Sequence, residues 1–149
     1  MSSSNQSTQK SNKEPSYSDY LSLMTLESMF KSITSVSYVD YRVVATVLHL
    51  IIEICLKKLA IVNGIQVSTR SHNINGLLFK LSRCDVVVEE LTTQLKDAKK
   101  LRGLQQFPYD ELRFNEELTE PLVLTLQELS SVADRLLSRL RYIESTFSN

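Results

Sequence analysis

The length, composition and charge of the chain limit the classes of protein to which it can belong. It has 149 residues, of which 42% are hydrophobic and 23% charged, values typical of one globular domain with a single core. Three glycines and three prolines are too few for the many turns of a sheet, so long helices are favoured. Seventeen basic residues balance seventeen acidic ones, which excludes the overall basic excess typical of a general nucleic-acid binder.

The first 16 residues differ in composition from the rest of the chain. Residues 1–16 are rich in Ser, Asn, Gln and Lys and contain no apolar stretch of the kind found in a secretory signal. Such a segment cannot bury enough apolar surface to order itself. We therefore expect a disordered tail followed by one helical domain over residues 17–149, in a cytoplasmic protein.

Two helices are predicted in the first half of the domain. The first runs from about Tyr17 to Val36, where apolar residues recur at steps of three and four. The second runs from about Val39 to Asn63, and Gly64 is a natural stop for it. The second helix is apolar on almost every side, which is typical of a central helix that the others contact.

Two shorter helices are predicted next. Ser71 or Asn73 can cap a short third helix that reaches about Leu81. Asp85 can cap a fourth helix, whose apolar residues keep the helical period until Gly103 ends it. A longer loop then leads to the last helix.

The last helix has the most regular apolar pattern in the chain. It begins near Pro121, in agreement with the preference of proline for the first helical turn. Apolar residues then alternate steps of four and three: Leu122, Leu126, Leu129, Ala133, Leu136, Leu140, Ile143 and Phe147. This pattern indicates a packing seam, either inside the chain's own bundle or shared with a second chain. The elements together predict an all-α fold, an antiparallel bundle of four to five helices.

The longest apolar run, residues 43–62, is long enough to suggest a membrane-spanning helix. It contains four ionisable residues: His49, Glu53, Lys57 and Lys58. Ionisable groups near the centre of a bilayer are costly, so we expect a buried core helix and no association with a membrane.

The two cysteines do not form a metal-binding pattern. Cys55 and Cys84 lie in apolar helical segments, and neither belongs to a CxxC pair. We expect two buried free thiols in a reducing compartment. With only two cysteines and two histidines, scattered along the chain, no metal site and no cofactor are predicted.

A polar stripe runs along the otherwise apolar second helix. Its residues follow steps of 4, 3, 4 and 4: Arg42, Thr46, His49, Glu53 and Lys57. Burying unpaired charge is costly, and Glu53 and Lys57 have the order that favours an ion pair within a helix. Two interpretations stay open. The stripe is the solvated side of the helix, or it is the floor of a groove that receives a polar ligand or partner, with His72 at its mouth.

No complete catalytic motif is present, so no catalytic residue is assigned. The phosphate-binding patterns GxGxxG and GxxxxGK[ST] and the zinc-protease pattern HExxH are all missing. Three basic residues of the last helix are interpreted as a solvated face: Arg135, Arg139 and Arg141.

Three sequence elements, in this order, resemble the HEPN domain family. The first is the helix HLIIEICLKKLAIVNG, from His49 to Gly64, in which Glu53 and Lys57 follow His49 at steps of four. The second is the turn SHNI at residues 71–74, which opens a short helix. The third is QFPY at residues 106–109, an aromatic-proline element before the last helix. The resemblance covers residues 17–147.

The resemblance implies a function, and the differences from the family's motifs indicate the branch of the family that the chain resembles. HEPN ribonucleases and toxins carry an R-x(4–6)-H motif on a late helix, and the late helices here contain no histidine. Gln106 replaces the arginine of the family's usual RYP element. The chain therefore resembles the non-nuclease branch, which implies a dimeric binding module for a nucleotide or nucleic acid, or for a separate nucleotidyltransferase partner, in a toxin–antitoxin or defence setting. The polar stripe and the turn that follows it give the ligand-binding candidates of this module: His49, Glu53, Lys57, His72 and Arg42.

Two other functions remain open at this stage. The first is an interaction subunit of a larger nucleoprotein or regulatory assembly that binds no small ligand. The second is a HEPN ribonuclease that works through Arg42 and His49 across a dimer, since six residues separate them.

Overall fold

The structure is a computed structural model of the 149-residue chain and describes residues 15–35, 40–67, 74–95 and 120–147. In these ranges all regular secondary structure is helical, and they contain no strand. The predicted all-α class is therefore confirmed. None of the helices in these ranges combines the length and the apolar character that crossing a bilayer would require.

The described ranges hold a 3₁₀ turn and five α-helices. The 3₁₀ turn is Tyr17–Asp19, and the helices are α1 Leu23–Thr34, α2 Tyr41–Val62, α3 Ile74–Leu81, α4 Val86–Gln94 and α5 Glu120–Phe147. Helix α2 contacts α1, α3, α5 and the 3₁₀ turn, and α5 also packs against α1 and α4. The prediction of a central second helix is confirmed, because most residues of α2 from Leu48 to Ala60 are buried in the core.

The start of the first helix differs from the prediction. The backbone N–H of Ser16 donates to Asp19 Oδ2 at 2.7 Å and closes a short 3₁₀ turn. The chain is then extended at Tyr20, and Ser22 caps α1 by accepting a hydrogen bond from the N–H of Thr25 at 3.2 Å. Several serines here can cap a helix, and the tertiary contacts of the turn decide that α1 begins six residues later than predicted, at Leu23.

The end of α2 follows the prediction in detail. Gly64 has a φ of +74°, the left-handed conformation that glycine adopts without strain. Its N–H donates to Ile61 O at 3.1 Å, and the N–H of Ile65 donates to Ala60 O at 2.8 Å. These two bonds form a Schellman motif, which satisfies carbonyl groups that the helix end leaves open.

The fourth helix ends earlier than predicted. Helix α4 stops at Gln94, with Leu95 as its C-cap, whereas the prediction carried it to Gly103. Asp85 is its N-cap, as predicted, and accepts hydrogen bonds from the N–H groups of Val87 and Val88.

The apolar seam of α5 packs within the chain. Five of its seam residues are buried: Leu129, Ala133, Leu136, Leu140 and Ile143. Phe147, the seam residue at the end of the helix, is exposed. Packing inside the chain's own bundle is thereby confirmed over residues 129–143. The alternative, a seam shared with a second chain, is wrong for this stretch because its side chains already contact their own core.

Candidate functional site

The polar stripe of α2 passes from solvent into the interior of the protein. At the N-terminal end of the helix Arg42 and Thr46 are exposed. Further along, His49 is 6% exposed, the side chain of Glu53 is 12% exposed and Lys57 is 3% exposed. The interpretation of the stripe as a solvated side is therefore wrong for its C-terminal half, which is a buried polar line within an apolar helix.

Arg42 forms hydrogen bonds with Asp40 at the start of α2. Its Nε and Nη2 atoms donate to the two oxygens of Asp40 at 3.0 Å and 2.7 Å, and Asp40 also accepts from the N–H of Arg42 at 2.9 Å. These hydrogen bonds hold the pKa of Asp40 at about 2, well below its usual range. His49 lies two turns further along, roughly 10 Å away at a rise of ~1.5 Å per residue. The structure thus places Arg42 in the helix cap rather than beside His49.

The buried end of the stripe contains an ion pair with loose geometry. Lys57 Nζ lies 3.9 Å from Glu53 Oε2, a distance too long for a hydrogen bond. Among the residues that the structure describes, Glu53 is the one recorded polar partner of Lys57. An ammonium group carries three donors, and a buried charge is costly unless hydrogen bonds accompany its partner. This end of α2 therefore offers hydrogen-bond donors that the described residues do not use.

Two parts of the sequence that the resemblance uses are not among the residues that the structure describes. His72 and the element at residues 106–109 lie outside the described residues. The position of His72 at the mouth of a groove therefore stays a prediction. The described structure brings together His49, Glu53 and Lys57 on one face of α2.

A second buried polar cluster was not predicted from the sequence. Lys58 is 2% exposed, and its Nζ donates to Leu21 O at 2.8 Å and lies 4.2 Å from the centre of the Tyr17 ring. The Tyr17 hydroxyl in turn donates to Glu144 Oε2 at 2.5 Å. Burial lowers the pKa of Lys58 and raises the pKa of Tyr17, which the bond to Glu144 raises further. These contacts link the 3₁₀ turn and the residues after it to α2 and α5.

The basic residues of α5 have partners that the sequence analysis did not predict. Each of the three arginines pairs with an acidic residue of a neighbouring helix: Arg135 with Glu90, Arg139 with Asp85 and Arg141 with Glu27. Arg141 is exposed, as the interpretation of a solvated face predicts, whereas Arg135 and Arg139 are only partly exposed. These pairs join α5 to α4 and α1, and they reduce the positive charge that an anionic ligand would meet at this surface.

The two cysteines differ in exposure. Cys55 is buried, as predicted, whereas Cys84 is exposed, so the prediction of two buried thiols is wrong for Cys84. Cys84 lies in the turn after α3, where its Sγ contacts the carbonyl of Leu81 at 3.5 Å. Within the described ranges, no three His, Cys, Asp or Glu side chains converge as the ligands of a metal ion would.

We expect a thiol reagent to label the native protein once, at Cys84. Burial raises the pKa of Cys55 to about 12, and the thiolate is the reactive form, so Cys55 should react only after unfolding. Mass spectrometry after a short treatment with iodoacetamide should show one added group in buffer and two in denaturant. The variant Cys84→Ser should show none in buffer, and rapid labelling of Cys55 in that variant would contradict the buried position.

Comparison with known proteins provides no further guide to this site. No protein-family model, curated protein or solved structure matched the chain. The function is therefore argued from the residues of α2 and from the neighbours that the fold gives them.

Proposed function

We propose that the chain is a non-catalytic, HEPN-like helical binding module that holds the phosphate of a nucleotide or RNA at the buried end of the α2 stripe. Lys57 carries the proposal, because its buried ammonium group makes a single loose contact with Glu53 among the described residues. The proposal also includes the dimer and the nucleotidyltransferase partner that the resemblance to the HEPN family implies.

The chemistry of the stripe fits a ligand of this class. A phosphate oxygen can accept charge-assisted hydrogen bonds from Lys57, which relieves the cost of burying the ammonium group. Glu53 can accept a hydrogen bond from a base or sugar, or hold Lys57 in place. The stripe reaches solvent at Thr46, so a ligand can approach along the same face of α2.

A binding role is better supported than a catalytic one. The ribonuclease alternative needs Arg42 and His49 to act on one phosphate, but Arg42 forms two hydrogen bonds with Asp40 and lies two turns from His49. Residues that share a reaction must lie within reach of the same reacting atom. Within one chain the two residues therefore cannot act on the same phosphate, so the ribonuclease alternative requires an Arg42 and a His49 from two different chains.

The interaction-subunit alternative would need a continuous apolar surface. Several large apolar side chains are exposed, among them Met24, Phe79 and Val86. They lie on three different helices, α1, α3 and α4, and exposed apolar residues are common on protein surfaces, so they do not by themselves indicate an interaction surface. A homodimer would likewise have to use a surface other than the buried seam of α5.

We expect Lys57→Gln to weaken ligand binding at least about tenfold, since a hydrogen bond to a charged group contributes ~1.5–3 kcal/mol. Binding is measured by fluorescence with mant-ADP and with a labelled uridine oligonucleotide, beside the melting temperature. The melting temperature should change little, because the contact that is lost is loose, at 3.9 Å, and Glu53 keeps a further interaction in the fold. His49→Gln should also weaken binding.

The matched control is Lys80→Gln, which makes the same change of charge on an exposed lysine of α3. It should leave both affinity and melting temperature unchanged. Equal weakening by Lys80→Gln would indicate a nonspecific charge effect. Failure of the wild type to bind either probe would refute the proposed function.

A further inference from the structure

A surface groove of about 440 Å³ lies between α1 and α5. Met24, Glu27 and Lys31 line it from α1, and Asp134 and Arg141 line it from α5. Asp134 and Arg141 are exposed, whereas the seam residues of the same helix are buried in the core. The groove therefore uses a side of α5 that the chain's own bundle leaves open to solvent.

The two helices that form the groove run in opposite directions. The hydrogen bond from the Tyr17 hydroxyl to Glu144 places the residues before α1 at the C-terminal end of α5. Further along α1, Glu27 forms an ion pair with Arg141, which comes earlier on α5 than Glu144. Residues that come later on α1 therefore lie beside residues that come earlier on α5.

The two walls of the groove carry the same charges in opposite order. Measured from the ion pair of Glu27 with Arg141, Lys31 lies ~6 Å along α1 and Asp134 lies ~10 Å in the same direction along α5, at ~1.5 Å per residue. Lys31 and Asp134 are both exposed, and no ion pair of either is recorded within the described ranges. In this direction the α1 wall is negative and then positive, and the α5 wall is positive and then negative.

We infer that this groove is the face on which a second copy of the chain docks. A two-fold axis parallel to the helices sets α1 of each copy against α5 of the other, so that Glu27 faces the partner subunit's Arg141. Lys31 then faces the partner subunit's Asp134, and both contacts occur twice. A two-fold interface must be complementary to itself, and the charges of this surface meet that requirement.

The inference rests on the proposed function, because it assigns a surface to the dimer that the proposal includes. It uses no residue of the α2 stripe, so the surface and the phosphate site can be tested separately. The side chain of Met24 is 81% exposed on the α1 wall, and methionine is enriched in interfaces because its flexible side chain fits irregular surfaces. Exposed ion pairs each contribute little, and they fix the orientation of the partner more than they add affinity. We therefore expect a weak dimer that is sensitive to salt.

The first measurement is the mass of the full-length protein by sedimentation equilibrium, over protein concentrations from about 1 µM to about 1 mM. We expect monomer and dimer in equilibrium. The equilibrium should shift towards monomer in about 1 M NaCl, where the screening length falls to about 3 Å. Lys31→Glu and Asp134→Lys should each weaken the dimer at least about tenfold, because each creates two contacts between like charges.

A mixture of the two variants tests the geometry of the interface. In a dimer of one Lys31→Glu chain and one Asp134→Lys chain, both of these contacts again join opposite charges. The equal mixture should therefore dimerise about as strongly as the wild type, although neither variant does so alone. Mixing cannot restore an ion pair within one chain, so a mixture that stays monomeric would overturn the inference.

The matched control is Lys80→Glu, the same reversal of charge on an exposed residue of α3, which should leave the dimer unchanged. The groove variants should keep the circular dichroism spectrum of the wild type, because both positions are exposed. A dimer that persists in both groove variants would use another face and would contradict the inference. A groove that receives a different protein would leave the purified chain monomeric at every concentration, with the same consequence.

Binding of mant-ADP separates this inference from the phosphate site of the proposed function. If the mixed variants dimerise as expected and the wild type binds neither mant-ADP nor the oligonucleotide, the phosphate site fails and the docking face stands. If the wild type binds mant-ADP and stays monomeric, the docking face fails together with the proposed dimer, and the phosphate site stands.

Discussion

Replacing Leu136 by Ala should destabilise the protein by about 2–5 kcal/mol, the usual cost of such a cavity in a well-packed core. Leu136 is fully buried at the centre of the α5 seam, and α5 packs against α2 more extensively than any other described pair of helices. The loss combines the apolar surface removed with the contacts that the cavity leaves unfilled. Urea denaturation followed by circular dichroism at the helical signal measures the change in the free energy of unfolding.

The control for this prediction is Leu124→Ala in the same helix. Leu124 is 60% exposed, so the same truncation should change the free energy of unfolding by less than about 0.5 kcal/mol. Leu136→Lys should unfold the chain altogether, because it places an unpaired charge in the core. Folded monomers from Leu136→Lys, in light scattering and circular dichroism, would instead indicate a seam shared between two chains and contradict the packing of α5 within its own bundle.

The features that local sequence controls were predictable. Helical period alone located α2 and α5, since both helices keep an apolar face over many turns. The stop at Gly64 and the cap at Asp85 were also predictable, because each depends on one residue type and its immediate backbone. The start of α1 was not predictable, since the serines at positions 16, 18 and 22 have similar capping ability and distant contacts select among them.

The features that depend on distant residues were not predictable. The sequence identified the α2 stripe, but not that Lys57 would be buried, because burial depends on what packs over the helix. The role of Lys58 was missed, since its partners Leu21 and Tyr17 come from a different part of the chain. The sequence signal that could have revealed this role is the pair of consecutive lysines, Lys57 and Lys58. Successive residues point about 100° apart on a helix of ~3.6 residues per turn, so both lysines cannot share one wet face of a central helix.

The ion pairs of the α5 arginines were also not predictable, because they too depend on residues that are distant in the sequence. Spacing along α5 shows that these residues are basic and near one another, but the acids that meet them lie on α1 and α4. Of these pairs, the one between Arg139 and Asp85 should matter most to stability, because Asp85 is buried and also caps α4.

Replacing Asp85 by Ala should therefore destabilise the protein by about 2–3 kcal/mol. The side chain loses two capping hydrogen bonds, to the N–H groups of Val87 and Val88 at 3.0 Å and 3.1 Å, and such caps contribute ~0.5–2 kcal/mol. It also loses the bond from Arg139 Nε at 2.9 Å; because Arg139 is partly exposed, solvent replaces some of that interaction. Urea denaturation again measures the loss.

The variant Asp85→Asn separates the two contributions. Asparagine keeps an oxygen that can cap α4 but removes the charge that attracts Arg139, so the loss should be about 1 kcal/mol, smaller than for alanine. Asp134→Asn, the same substitution at an exposed residue of α5, should stay within about 0.5 kcal/mol of the wild type. A double-mutant cycle of Asp85→Asn with Arg139→Gln isolates the ion pair, and additive losses would show that the pair contributes nothing. Equal losses for Asp85→Asn and Asp85→Ala would instead show that the cap contributes nothing and that the pair with Arg139 alone holds the start of α4.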